Sequence, residues 1–200
     1  MITRHNVEQG SGEWLELRCG LITGSRASDL LSKGSGATRA KYMRQLAGEI
    51  VTGEPMSAYI NAAMQRGHEL EPVAFDLYCD QTGREMVTTG FVTNDALDGC
   101  GFSPDAESPN GSHAIEIKSR EAHVYIEHKL SGKVSRAAFA QIQFGYLICE
   151  YESYDYVMYS PGFPLWIKSV PKDNEIQEQL KTEILRFKFE LNEMVQKVMQ

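Results

Sequence analysis

Ala114-Ile115-Glu116-Ile117-Lys118-Ser119, preceded by Ser103-Pro104-Asp105, is the stretch that decides how this chain reads. Alternation predicts a strand in which Ile115 and Ile117 turn one way into a core and Glu116 and Lys118 turn the other. Such a strand in mid-chain should be central in its sheet, where charges need a reason. Pro104 lacks a backbone donor and sets the turn that aims Asp105. Two acids and a lysine facing one point suit phosphodiester cleavage. The carboxylates hold a divalent cation, the cation holds a phosphate and a water, and the lysine positions that water. A surface salt bridge on one sheet face is the plainer reading. Clustered ionisable groups at strand ends, however, mark functional sites more often than structural ones.

Working outward, Gly10 to Gly12 precede a short helical pattern through Trp14, Leu15 and Leu17, and Thr23 or Ser25 could cap a second helix ending near Leu31. Lys33 to Ala37 is a glycine–serine loop, Thr38 to Val51 a helix, and a longer helix runs from about Ala58 to Cys79, closed by Gly83. Met86 to Thr93, Gly99 to Ser103 and Ala114 to Ser119 are expected strands, followed by helices at Glu121 to Leu130 and Ser135 to Cys149. Tyr154 to Tyr159 and Leu165 to Val170 read as two more strands. Ile176, Leu180, Ile184, Phe187, Leu191, Val195 and Val198 mark a closing amphipathic helix, its stripe used for core or subunit packing. The expected fold class is α/β: one domain over residues 1–200, a central mixed sheet flanked by helices, with N-terminal helices and a long C-terminal helix.

Two further acids are candidates. Asp95 lies ten residues before Asp105 across the Gly99–Gly101 bend, and Glu71 sits among Leu70, Val73, Ala74 and Leu77 in the longer helix. Taken alone, Glu71 reads as a solvated helix residue. Cys19, Cys79, Cys100 and Cys149 are far apart without a Cys-x-x-Cys pair, which argues against zinc or an iron–sulfur cluster. The five histidines have no metal-site spacing. No long apolar run predicts a membrane helix, and the polar N-terminus lacks the apolar core of a signal peptide, so the cytoplasm is expected. The net charge of −7 is unusual for a nucleic-acid binder. Basic residues do gather at Arg39, Lys41 and Arg44, and at Lys129, Lys133 and Arg136, but each cluster by itself reads as a solvated helix face. Trp14 by itself reads as core packing.

The chain resembles the bacteriophage lambda type exonucleases, the YqaJ-like viral recombinase nucleases within the restriction-endonuclease-like fold. The resemblance rests on Trp14-Leu15-Glu16-Leu17-Arg18 with Gly20 to Ser25, then Gly67 to Glu71, Ser103-Pro104-Asp105, Glu116-Ile117-Lys118 and Ala140-Gln141-Ile142-Gln143, in matching order and spacing. Ala106 stands where the family commonly has glycine, and Ser119-Arg120 where it often has Cys-Pro; neither touches an expected metal ligand. The resemblance implies a Mg²⁺-dependent exonuclease with two ions per site, Mn²⁺ as substitute, digesting one strand of duplex DNA from a 5′ end to mononucleotides and leaving 3′ tails for an annealing protein. Asp105 and Glu116, with the carbonyl of Ile117, would hold the first ion, Glu71 and Asp95 would complete the second site, and Lys118 would orient the water. Arg18, Ser25, Ser103 and Gln141 would hold the 5′-phosphate. A homotrimeric ring around DNA, in the cytoplasm of a phage's bacterial host, is also implied. The alternatives are a structure- or site-specific endonuclease of the same fold and a catalytically silent recombination adaptor.

Overall fold

A computed structural model describes residues 1–32, 36–56 and 62–200. The chain opens with β1 (Ile2–His5), a strand that its polar sequence does not signal. Helix α1 (Gly12–Arg18) follows, capped by Ser11, whose hydroxyl accepts the Trp14 N–H. After β2 (Ile22–Thr23) comes a 3-10 turn, Gly24–Arg26, and then α2 (Ala27–Leu30). The expected side-chain cap is absent here: Thr23 makes no capping bond and Ser25 lies inside the turn. Most of the expected glycine–serine loop and the Ala58 helix start lie outside the described residues.

Helix α3 (Ala37–Thr52) ends on Gly53 in the left-handed region, and α4 (Ala62–Thr82) on Gly83, whose N–H bonds the Cys79 carbonyl. Pro72 lies inside α4 and leaves the His68 carbonyl without its intrahelical donor. The remaining elements are β3 (Phe91–Asn94), a 3-10 turn at Asp95–Leu97, β4 (Cys100–Phe102), β5 (Ala106–Glu107), β6 (His113–Ser119), α5 (Ala122–Ser131), α6 (Arg136–Cys149), β7 (Ser153–Tyr159), β8 (Trp166–Ser169) and α7 (Asn174–Val198).

The strands form two four-stranded mixed sheets rather than one central sheet. Their orders are β1-β3-β4-β2 and β5-β6-β7-β8. In the first only β2 and β4 are parallel; in the second only β6 and β7 are. The break falls at Ser103-Pro104-Asp105, between β4 and β5. Proline cannot donate to a ladder, and the side chains on either side of it bond backbone groups instead: Ser103 donates to the Gly90 carbonyl and Asp105 accepts the Ile117 N–H. Of the expected strand Met86 to Thr93, the N-terminal part keeps only one bridge, Val87 to Glu107.

Strand β6 is covered on both faces. Ile115 and Ile117 pack with Val157 and Leu165 beneath Ala74 and Tyr78 of α4. On the other face Ala114, Tyr154, Tyr156 and Met158 join Ile142 and Phe144 of α6 and Leu180, Ile184 and Phe187 of α7 in the larger core. Glu116 shares that second face and is 0% exposed. Helix α4 is tied to the sheet at one end by Tyr78, whose hydroxyl donates to Asp155 and bonds His113 Nε2, both at 2.8 Å. His113 opens β6, so α4 runs against it and carries Glu71 back toward the strand's C-terminal end.

Candidate active site

The C-terminal end of β6 collects four of the expected residues. Lys118 donates to Glu116 Oε1 across two strand positions. Asp105, delivered by the break after β4, takes the Ile117 N–H on Oδ2 at 2.5 Å. Glu71 arrives from α4 and acts electrostatically on Asp105, Lys118 and Glu116. Three carboxylates thus face one lysine.

The charges respond accordingly. Burial, then the charge of Asp105, pushes Glu116 up to about 8, against the pull of Lys118. Glu71 is held up to about 7, chiefly by burial and then by Asp105. Burial also raises Asp105, opposed by Lys118, the Ile117 N–H and His68. Burial by itself would lower Lys118, but Glu116 and Asp105 outweigh it and keep the ammonium protonated. Glu116 Oε2 is buried and has no hydrogen-bond partner among the described residues. A buried lone carboxylate oxygen beside two more acids is a donor set suited to a hard divalent cation. Among the described residues no three His, Cys, Asp or Glu side chains close around a single ion. Mg²⁺ is commonly held by only one or two carboxylates, with water and phosphate oxygens filling the rest, so the set fits it without further protein ligands.

Asp95 is not brought to this cluster. It starts the 3-10 turn at the tip of the β3–β4 hairpin, its side chain is 76% exposed, and it pairs with the N-terminal amine at 3.3 Å. Thr93 pairs with Gly101 and Val92 with Phe102, so β4 leads away from that tip. The extended chain from Gly99 to Asp105 spans roughly 20 Å. Sequence proximity across a glycine bend gave no sight of this, because Asp95 lies at the tip of the hairpin and Asp105 beyond its open end.

A second group of side chains surrounds Trp14. Its indole Nε1 donates to Ser103 Oγ at 2.9 Å and to the Gly90 carbonyl at 3.1 Å. The Arg18 guanidinium lies 3.7 Å over its ring. Trp14 is therefore a platform joining Arg18 to Ser103, not simple core filler. Burial lowers Arg18 to about 10, with Tyr42 and Glu49 opposing. Tyr42 in turn accepts the Thr23 N–H, and Thr23 Oγ1 stands 3.5 Å from the exposed Ser25. Gly24 lets this turn press on the core: a Cβ there would lie 2.4 Å from the Phe102 ring and 3.4 Å from Phe144. Gln141 precedes Phe144 by three residues on α6, hence on the same helix face. Arg18 and Ser103 thus meet at Trp14, while Ser25 stands beside Thr23 on the turn that packs against α6, the helix that carries Gln141.

Several contributors carried no readable signal. His68, read in sequence as a surface or packing residue, is exposed; it stands one turn before Glu71 and acts on Asp105 against the effect of burial. Gln9 Nε2 donates to the carbonyls of Thr89 and Pro104, both at 2.8 Å, and so braces the turn that aims Asp105. Glu107, only 3% exposed, joins Arg4, Thr89 and Tyr151. Arg39, read as part of a basic cluster, is 6% exposed and pairs with Glu190. All four cysteines are free.

Residues 13–152 match the YqaJ-like viral recombinase domain. The chain belongs to the YqaJ-like viral recombinase family. It is similar to the alkaline exonuclease of Laribacter hongkongensis, at 30% identity and a TM-score of 0.86, covering 94% of this chain and 96% of that one. The structure of that exonuclease in complex with dAMP matches at 30% identity, the same coverage and a TM-score of 0.87. A phage-related exonuclease from Haemophilus somnus shares the fold, with a TM-score of 0.68 at 12% identity over 89% of this chain and 96% of that one. No curated protein matches the chain. The fold is restriction-endonuclease-like α/β. Family and relative together make the chain a nuclease. No helix among the described residues is long and apolar enough to cross a membrane.

Proposed function

We propose that this chain is a Mg²⁺-dependent exonuclease that removes mononucleotides from the 5′ end of one strand of linear duplex DNA in phage recombination. The observation that carries the reading is the placement of Ser103 and Asp105 on either side of Pro104. One side chain bonds Trp14, on whose ring Arg18 lies, and the other belongs to the acid–lysine cluster. Two residues of extended chain span roughly 7 Å, which sets a held end close to the bond that is cut.

Arg18 offers a planar fork of donors to a 5′-phosphate, and Ser25, Ser103 and Gln141 add neutral ones. Lys118 orients a water toward the phosphorus joining the first nucleotide to the second. The P–O3′ bond breaks, the mononucleotide leaves, and the shortened strand carries a new 5′-phosphate for the same pocket. Mg²⁺ on Asp105 and Glu116, with the Ile117 carbonyl assisting, would stabilise the attacking and leaving oxygens. A second ion at Glu71 would need water and phosphate as its other ligands, because Asp95 stands elsewhere. Mn²⁺ has the same preference for oxygen donors. The complex of the Laribacter hongkongensis exonuclease with dAMP supports a mononucleotide product.

The deciding assay offers linear duplexes ending in 5′-phosphate or 5′-hydroxyl, with Mg²⁺ or EDTA, and a closed circle. Cleavage of the phosphorylated linear duplex in Mg²⁺ alone is expected. Equal cutting of the circle would sink the exonuclease reading. Lys118→Ala should lose on the order of a hundredfold or more in rate, and undiminished cutting would remove the role given to Lys118. The homotrimeric ring, the annealing-protein partner and a bacterial cytoplasmic setting rest on the family resemblance. A stable monomer by light scattering with DNA bound would remove the ring.

A further inference from the structure

Lys129, Lys133 and Arg136, neighbours in sequence on α5, α6 and their connection, lie against β8: Lys133 and Lys168 line one cleft, Lys129 Nζ stands 6.0 Å from the Trp166 ring, and Lys172 follows the cleft residue Pro171. Lys168 donates to the Gly132 carbonyl, and with Lys133 it lines a cleft of about 290 Å³ beside Val134, Phe139 and Pro171. Lys129, Lys133, Arg136 and Lys172 are exposed. Among the described residues Arg136 reaches only a backbone carbonyl, that of Leu31, at 3.4 Å. Among the described residues none of the five forms an ion pair. That is notable in a chain with 27 acids against 20 lysines and arginines. Asp173, adjacent to Lys172, spends its carboxylate on the first turn of α7, accepting the Glu175 and Ile176 N–H groups.

Register connects this surface to the acid cluster. Glu116 pairs with Tyr156, and Tyr156 pairs with Lys168. Directly paired positions share a sheet face, so Lys168 stands two ladder spacings, roughly 10 Å, from Glu116 on the same side.

We propose that this cationic face binds the phosphodiester backbone of the DNA being processed, along a track that begins beside the cleavage site. The proposal rests on the reading of the chain as a nuclease acting on DNA. Unpaired cations in an acidic protein suit a polyanion, because each phosphate they neutralise releases a counterion. The expected effect follows from roughly 0.9 power of salt concentration per phosphate contact: losing two contacts weakens binding on the order of 60-fold near 0.1 M salt.

The test compares the wild-type chain with Lys133→Glu/Arg136→Glu and with Lys133→Gln/Arg136→Gln. Both positions are exposed, and circular dichroism checks the fold. Anisotropy of a fluorescently labelled duplex in EDTA, at several salt concentrations, gives affinity and salt slope. Hydrolysis of bis-p-nitrophenyl phosphate with Mg²⁺ gives the chemistry without the track. A tenfold to hundredfold loss of duplex affinity, a salt slope shallower by about 2, and unchanged hydrolysis of the small ester are expected. Unchanged affinity and slope in both variants overturn the track, while duplex cutting by the same variants leaves the nuclease reading standing. Variant-sensitive binding by a wild-type protein that cuts no DNA keeps the track and overturns the nuclease reading.

Discussion

Replacing Arg18 by methionine should stabilise the free protein while degrading its recognition of a 5′ end. The guanidinium is half-buried over Trp14 at 3.7 Å. Burial brings its pKa down from 12.5 to about 10. Glu49, the acid that acts on it, already accepts the Gly20 N–H at 2.9 Å and a Gln45 N–H at 3.1 Å. Arg18 is charged in both folded and unfolded chains at neutral pH, so the lowered pKa is a cost at every pH below about 10. At ~1.4 kcal/mol per unit that cost is at most about 3.5 kcal/mol. Stacking on the indole returns about 1 to 2 kcal/mol. Methionine keeps much of the stem's packing, which leaves a net gain of about 1 to 2 kcal/mol and a rise in Tm of roughly 2 to 8 °C for a chain of this size. A charge-assisted bond to a terminal phosphate contributes about 1.5 to 3 kcal/mol. The kcat/KM ratio for 5′-phosphorylated over 5′-hydroxyl duplex should therefore fall roughly 10- to 150-fold. Calorimetry and paired kinetics on one duplex sequence measure both. A lowered Tm would show that Arg18 holds the fold together, and an unchanged ratio would show that it holds no phosphate.

Mg²⁺ affinity should rise with pH. Glu116 at about 8 and Glu71 at about 7 hold protons at pH 6 that a metal must expel, but not at pH 9; calorimetric titration at both values in two buffers would contradict this if affinity and proton release were equal. EDTA should abolish cleavage. His113 is lowered by burial, against the pull of Asp155, and so stays neutral inside while the unfolded chain protonates below about 6.5. Stability is then full above that pH and falls as pH drops below it, read from urea midpoints at pH 7.5 and 5.5. Tyr78→Phe removes the hydroxyl shared by His113 and Asp155 and should cost about 1 to 3 kcal/mol; an unchanged urea midpoint would show that this tie does not hold α4. Gly24→Ala forces a Cβ against the Phe102 ring and should cost about 1 to 3 kcal/mol. It should also weaken 5′-phosphate preference by moving Ser25, and a preference equal to wild type would detach that turn from the pocket.

The acid–lysine half of the site was legible because it is local. Glu116 and Lys118 share a face through strand periodicity alone, and Pro104 two residues past a strand announces a turn that aims Asp105. The proposed phosphate-binding half rests on resemblance, since nothing in Arg18 or Gln141 by itself points at a phosphate. Trp14 was misjudged because an indole reads as bulk in sequence, whereas its N–H and its face are both engaged. Helix α4 continues through Pro72 because burial of Ala74 and Tyr78 against β6 outweighs one missing hydrogen bond.

By itself the sequence determined the alternating strand, the amphipathic closing helix and the chemical types brought to the site, all of which depend on residues a few positions apart. Only the tertiary structure decided which distant charges meet. Asp95 and Glu71 look equally eligible in sequence, yet hairpin direction sends Asp95 to the N-terminal amine. The Tyr78 tie sets α4 antiparallel to β6 and returns Glu71 to Lys118. The same holds for Lys168, placed beside Glu116 by two ladders of backbone hydrogen bonds rather than by any sequence neighbour. Coulomb interactions depend on separation in space, and for these pairs that separation is set by strand direction, register and helix orientation.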